Sequence, residues 1–225
     1  MNDNQRMAKE WFFSLRNNLV DALEKIDGNK FDFKDWEHSG SGGGTMGGIK
    51  GKIVEKGGVN ISTVSGQFSE EMRQRIPGAK KDPQYWATGI SVVIHPTSPL
   101  IPSMHFNSRF LKTSKTWFGG GIDITPAIPF KKETEHFHSI LNKACSKHSK
   151  TYYDEHKKWC DEYFFLKHRN EARGAGGIFF DYLDSGSIVE DFEYVKAVGT
   201  FFLHYINYIF DKYSGKEWTK EQKRM

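Results

Sequence analysis

The chain has 225 residues, 37% of them apolar and 15% aromatic, and 18 Phe, 9 Tyr and 6 Trp are too much ring area for a disordered chain. Its length and apolar content fit one packed domain spanning 1–225. A formal net charge of +4, with Lys and Arg scattered among acids except at the extreme C-terminus, leaves no basic stripe and argues against a nucleic-acid partner.

Met7, Trp11, Phe12, Leu15, Leu19 and Leu23 recur at helical spacing and Gly28 follows them. That pattern predicts an amphipathic N-terminal helix lying on a sheet or another helix. The first residues carry no continuous apolar run of the secretory type, and no uncharged apolar run approaches membrane-spanning length. Residues 39–48 read SGSGGGTMGG and predict a flexible or tightly turning segment.

Runs rich in β-branched and aromatic residues then occupy 49–55, 59–64, 85–95, 103–112 and 116–125. Their close spacing predicts antiparallel pairing, because parallel neighbours need long crossovers. Helical patterns return at 131–147, 152–167 and 188–213, with one further strand candidate at 178–183. The expected fold class is α+β, a large antiparallel β-sheet flanked by α-helices. Cys145 and Cys160 lack CxxC spacing, which argues against a disulfide framework or a cysteine zinc site and fits the cytoplasm.

The stretch from Ser103 to Phe110 reads SMHFNSRF. On a strand, alternation puts His105, Asn107 and Arg109 on one face and Met104, Phe106, Ser108 and Phe110 on the other. The first face is either a functional row or an ordinary solvated sheet face. Ser91 and His95 share parity with Val93 on the strand before, and a His preceding Pro96 is a ligand, a proton donor or simply hydrogen-bonded.

Gly119, Gly120 and Gly121 interrupt a strand-like run, which suggests close approach by a ligand or another backbone. Neither a phosphate-loop nor a dinucleotide-binding pattern is present. Asp123 stands between two Ile residues, where a carboxylate needs a partner; pyrrole N–H groups, a salt bridge and a turn cap all qualify. His136 and His138 fall on roughly opposite helix faces, so at most one faces a shared site. The run KHRNEARG at 167–174 is rich in donors suited to carboxylates, or is a solvated loop.

Several segments in order carry a family resemblance: GGGTMGGIKGKIVEKGGVNIS at 42–62, SVVIHPTSPLIPSMHFNSRF at 91–110, WFGGGIDITP at 117–126, the HFH at 136–138 and KKWCDEYFFLKHRNEARGAGGIFFDYLD at 157–184. The chain resembles the oxygen-dependent coproporphyrinogen III oxidases. The resemblance implies a homodimeric enzyme of haem biosynthesis with the tetrapyrrole held between sheet and helices. It implies conversion of two propionates of coproporphyrinogen III to vinyl groups, with molecular oxygen as co-substrate, carbon dioxide and peroxide as by-products, and no organic cofactor.

By position, Ser91, Asn107, Ser108 and Arg109 resemble the family's substrate contacts and His105 its proton donor. His95, His138 and His168 resemble positions assigned to a divalent metal such as manganese. Arg109 and Asp123 resemble a pair that holds a propionate and the pyrrole nitrogens. Members of that family continue beyond the point where this sequence stops, so a domain incomplete at its C-terminus is expected, with some strands and dimer contacts missing. Two rival readings follow from the same residues: a tetrapyrrole-binding remnant without turnover, and a metal-dependent hydrolase built on the three His.

Overall fold

A computed structural model describes residues 1–224 of the chain. Helix α1 (Asp3–Asp27) starts from a capping box in which Asn2 and Gln5 satisfy each other's backbone N–H groups, and stops at Gly28, whose φ of 88° suits a left-handed cap. Its buried stripe of Ala8, Phe12, Leu15, Leu19 and Leu23 follows the helical spacing seen in the sequence.

The glycine-rich stretch is a strand, which corrects the expectation of a flexible segment. Strands β1 (Asp32–Glu37) and β2 (Ser41–Ile49) pair antiparallel. Rings from β1 fill the space beside glycines of β2: a Cβ at Gly44 would be 2.8 Å from the Trp36 ring, and one at Gly47 would be 2.8 Å from the Phe33 ring. Aromatic cover of this kind stabilises strand glycines that have no side chain of their own to pack. The expected strand at 49–55 is also corrected, because β2 ends at Ile49 and β3 (Val54–Gln67) begins only at Val54. Between them the chain turns, and Asp27 at the end of α1 accepts from the backbone N–H groups of Ile53 and Val54 at 2.8 and 2.7 Å.

After α2 (Glu70–Arg75), a short helix the sequence reading missed, come β4 (Gln84–Pro96), β5 (Ser103–Lys112) and β6 (Thr116–Thr125). Two helices, α3 (Lys131–Ser146) and α4 (Tyr152–Tyr163), precede β7 (Gly176–Leu183), and α5 (Ile188–Tyr213) and α6 (Lys220–Arg224) complete the described chain. Among the described residues the strands form one antiparallel sheet in the order β1 to β7, each beside its neighbour in sequence.

One face of the sheet is apolar and covered. Phe106, Phe110, Phe118 and Ile122 are buried there, and Phe202 of α5 stacks on Phe106 at 5.0 Å between ring centroids. Helix α4 runs along β7, with His156 stacked on Phe180 and Tyr163 stacked on Phe179. Those two residues of β7 point to opposite faces, so α4 covers the sheet edge that β7 would otherwise expose.

His156 is 7% exposed and shares a 2.8 Å hydrogen bond with Tyr194 of α5. Burial pulls its pKa down to about 4. The folded state therefore holds it neutral while the unfolded chain protonates it near pH 6.5, so stability falls as pH drops through that interval. Between pH 6.5 and 4 the expected loss from this group is about 3 kcal/mol. Thermal melts across that range should show the slope in the parent and a flatter one in His156→Phe; equal slopes would rule out His156 as its source.

Candidate functional site

The opposite face of the sheet is open, and the strand register arranges it in rows. One row runs Trp36, Gly44, Ser62, Gly89, Arg109 and Gly119. The next runs Asn60, Ser91, Asn107, Gly121 and Phe179. A third holds Val93, His105, Asp123 and Gly177. Glycine, serine and asparagine therefore make a low, flat floor between β3 and β6.

Walls rise at both ends of that floor. Trp36 stands on one side; Tyr163, Phe164 and Phe179 stand on the other, with Tyr163 and Phe179 stacked at 4.3 Å. The open cleft between them has a volume of about 460 Å³, within the range of small-molecule sites. Ser91, Asn107 and Arg109 line it together.

Ser108 departs from its expected role as a side-chain contact. Alternation turns it to the covered face, where it is 4% exposed and its hydroxyl donates to the Gly119 carbonyl at 3.3 Å. Only its backbone can meet a ligand on the open side.

Asp123 is 4% exposed, and both of its oxygens are engaged. Oδ2 lies 3.2 Å from His105 Nδ1, and Oδ1 accepts from Arg173 Nη2 at 2.8 Å. This fixes the His105 ring and leaves its Nε2 for other partners, the arrangement by which a buried carboxylate orients a catalytic imidazole. The guanidinium of Arg173 also lies over the Phe164 ring at 3.8 Å, and its Nε is buried without a hydrogen-bond partner.

Arg109 and Asp123 each have a separate partner. Arg109 Nη2 donates to Asp181 Oδ2 at 2.6 Å, and Asp123 is held by Arg173 and His105. Arg173 was hidden in a charged run; its position just before Gly174, whose φ is 60° and whose Cβ would lie 2.7 Å from the Ile124 carbonyl, was the one local sign that the run turns back onto β6.

The three His assigned to a metal are not assembled as one. His138 has both ring nitrogens committed, Nε2 to the Ala175 carbonyl at 2.9 Å and Nδ1 to the Tyr153 hydroxyl at 3.0 Å. His168 is exposed on the loop after α4. His95, at the end of β4, packs edge-on against His105 at 6.1 Å; desolvation and then the charges of His105 and Lys56 lower its pKa. Among the described residues no group of three or more His, Cys, Asp or Glu is placed to hold a metal ion. The residues do not fit the metal, and the hydrolase reading loses its centre with them. His136 packs on Tyr208 instead of facing the cleft.

A family model described as coproporphyrinogen III oxidase matches residues 7–225. The chain belongs to that family. It is 48% identical to the oxygen-dependent coproporphyrinogen-III oxidase of Rickettsia akari (strain Hartford), with 98% of this chain and 83% of the relative covered. The protein of that name from Rickettsia bellii (strain RML369-C) is 48% identical over 98% of this chain and 82% of its own length. For Rickettsia africae (strain ESF-5) the identity is 47%, with 98% and 83% covered. An α+β oxidase fold with a seven-stranded antiparallel sheet agrees with that membership.

Proposed function

We propose that this chain is an oxygen-dependent coproporphyrinogen III oxidase, acting in haem biosynthesis on a tetrapyrrole laid across the floor between β3 and β6. The observation that carries the reading is the floor itself. Its small side chains admit a broad ring system, aromatic walls flank it, and the Arg109 guanidinium stands at its side within reach of a carboxylate.

Arg109 suits a propionate, because a guanidinium meets a carboxylate as a planar fork. Arg173 Nε is a second buried donor in need of an acceptor. For each propionate the carbon–carbon bond to the carboxylate breaks, a vinyl double bond forms and carbon dioxide leaves. Molecular oxygen takes the two electrons, one side-chain hydrogen and one added proton, becoming hydrogen peroxide. His105, oriented by Asp123, is the group placed to take up and return the proton at its Nε2. No metal or organic cofactor enters this scheme.

Mixing the protein anaerobically with coproporphyrinogen III and then admitting oxygen should yield protoporphyrin fluorescence once the products are oxidised. Binding without oxygen consumption would leave a tetrapyrrole-binding protein and remove the oxidase reading. The homodimer and the cytoplasmic setting belong to the same proposal. Sedimentation of the purified chain tests the first, and two free, buried cysteines support the second.

A further inference from the structure

Asp181 closes the row that contains Arg109 and Gly119, and immediately after it the ladder breaks. Gly120 pairs with Phe180 but Phe118 pairs with Leu183, so β7 carries an extra residue. Bulges next to ligand sites re-aim side chains or end pairing. Tyr182 beside it adopts φ 55°, a left-handed conformation disfavoured for a residue with a Cβ. Its N–H donates to Asp181 Oδ1 at 2.9 Å.

The second carboxylate oxygen of Asp181 holds Arg109. Asp181 is the more buried partner, with its side chain 15% exposed against 39% for Arg109. Gly119 leaves room for the pair, since a Cβ there would lie 2.5 Å from Asp181 Oδ1 and 3.0 Å from Arg109 Nε. Strain in β7, a glycine in β6 and an arginine in β5 thus converge on one ion pair beside the cleft.

We propose that Asp181 is the positioning residue of Arg109, setting the plane of its guanidinium before a substrate carboxylate arrives. The inference rests on the reading of Arg109 as a propionate anchor. One N–H goes to Asp181, and the remaining donors stay available to a carboxylate in the cleft. Removing the Asp181 charge leaves Arg109 its attraction for an anion but frees its orientation. The loss therefore falls on kcat, while KM holds or decreases. Removing Arg109 raises KM.

The test is a double-mutant cycle with coproporphyrinogen III and oxygen. Asp181→Asn keeps an acceptor for the Tyr182 N–H and should lower kcat about tenfold with KM unchanged or lower. In an Arg109→Ala background the same change should add less than about twofold, because its route through Arg109 is already gone. Gly119→Ala, which pushes only on the far ends of two side chains, should reproduce the Asp181→Asn kcat at a similar Tm.

Independently of turnover, NMR of the Arg109 Nε–H group should report a lower order parameter in Asp181→Asn. An unchanged order parameter, a kcat within about twofold of the parent, or additive effects in the cycle would overturn the proposal. If Arg109→Ala itself leaves KM unchanged, the anchor reading falls and this inference falls with it. If Arg109→Ala raises KM and Asp181→Asn is silent, only the positioning role is lost.

Discussion

Asp123→Asn is expected to reduce kcat roughly a thousandfold, within the range of about 10²–10⁴ that general acid–base catalysis contributes and up to which neutralising a carboxylate that orients a catalytic His can cost. The substitution keeps volume and removes charge. An amide whose oxygen serves Arg173 turns its NH₂ group toward His105 Nδ1, so the ring must accept there and carry its proton on Nε2. The base presented to the cleft is then lost.

Stability should fall less than activity. Arg173 keeps its place over Phe164 and is 30% exposed, so it is only partly deprived of compensation. A loss of about 1–3 kcal/mol is expected, or roughly 2–12 °C in Tm for a domain of this size. Steady-state kinetics alongside thermal melts check both parts. Activity within threefold of the parent would remove Asp123 from the machinery.

Phe202→Ala is the substitution expected to destabilise most. Phe202 is completely buried and stacks on Phe106, so the change leaves a cavity between α5 and the sheet. Losses of this type run to about 3–5 kcal/mol, equivalent to roughly 6–20 °C in Tm at this size. Phe106 is next to Asn107 in β5 but faces the other way, so turnover per folded molecule at low temperature should hold. A Tm shift under about 2 °C would mean that the helix repacks onto β5 without a cavity.

The parts of the fold that were legible are those where one periodicity dominates. The α1 stripe and the alternation through β5 carry side chains large enough to declare their face, and both are present, with Met7 of the α1 stripe left exposed and Ala8 buried in its stead. Residues 39–48 misled because glycines that usually mark turns are here the seats for Trp36 and Phe33 of another strand. A cross-strand relation of that kind has no local signature.

The site divides in the same way. Ser91, His105, Asn107 and Arg109 were legible because they share parity on adjacent strands. Tyr163 and Phe179 of the cleft wall, and Arg173 and Asp181 that pair with Asp123 and Arg109, were not, because two helices first bring the chain back to pair with β6. Spacing could show that Asp123 needed a partner; it could not say which of several basic residues would return to it. The expected metal triad failed for a related reason, since His138 is used to tie α3 to Ala175 and to Tyr153 of α4.

Strict neighbour-to-neighbour strand order also dictates a timetable during translation. Helix α1 leaves the ribosome before β3 and β4, so their apolar backs find cover as soon as they form. The backs of β5 and β6 have no such partner until α5, ending at Tyr213, has been made. At ordinary elongation rates the interval from Thr125 to Tyr213 is on the order of 5–20 s. For that interval Phe106, Phe110, Phe118 and Ile122 form an uncovered sheet surface on the nascent chain. The segment most exposed to aggregation is thus the one that carries His105, Arg109 and Asp123 on its other side, so a stalled or slowed ribosome endangers the strands of the candidate site before any others.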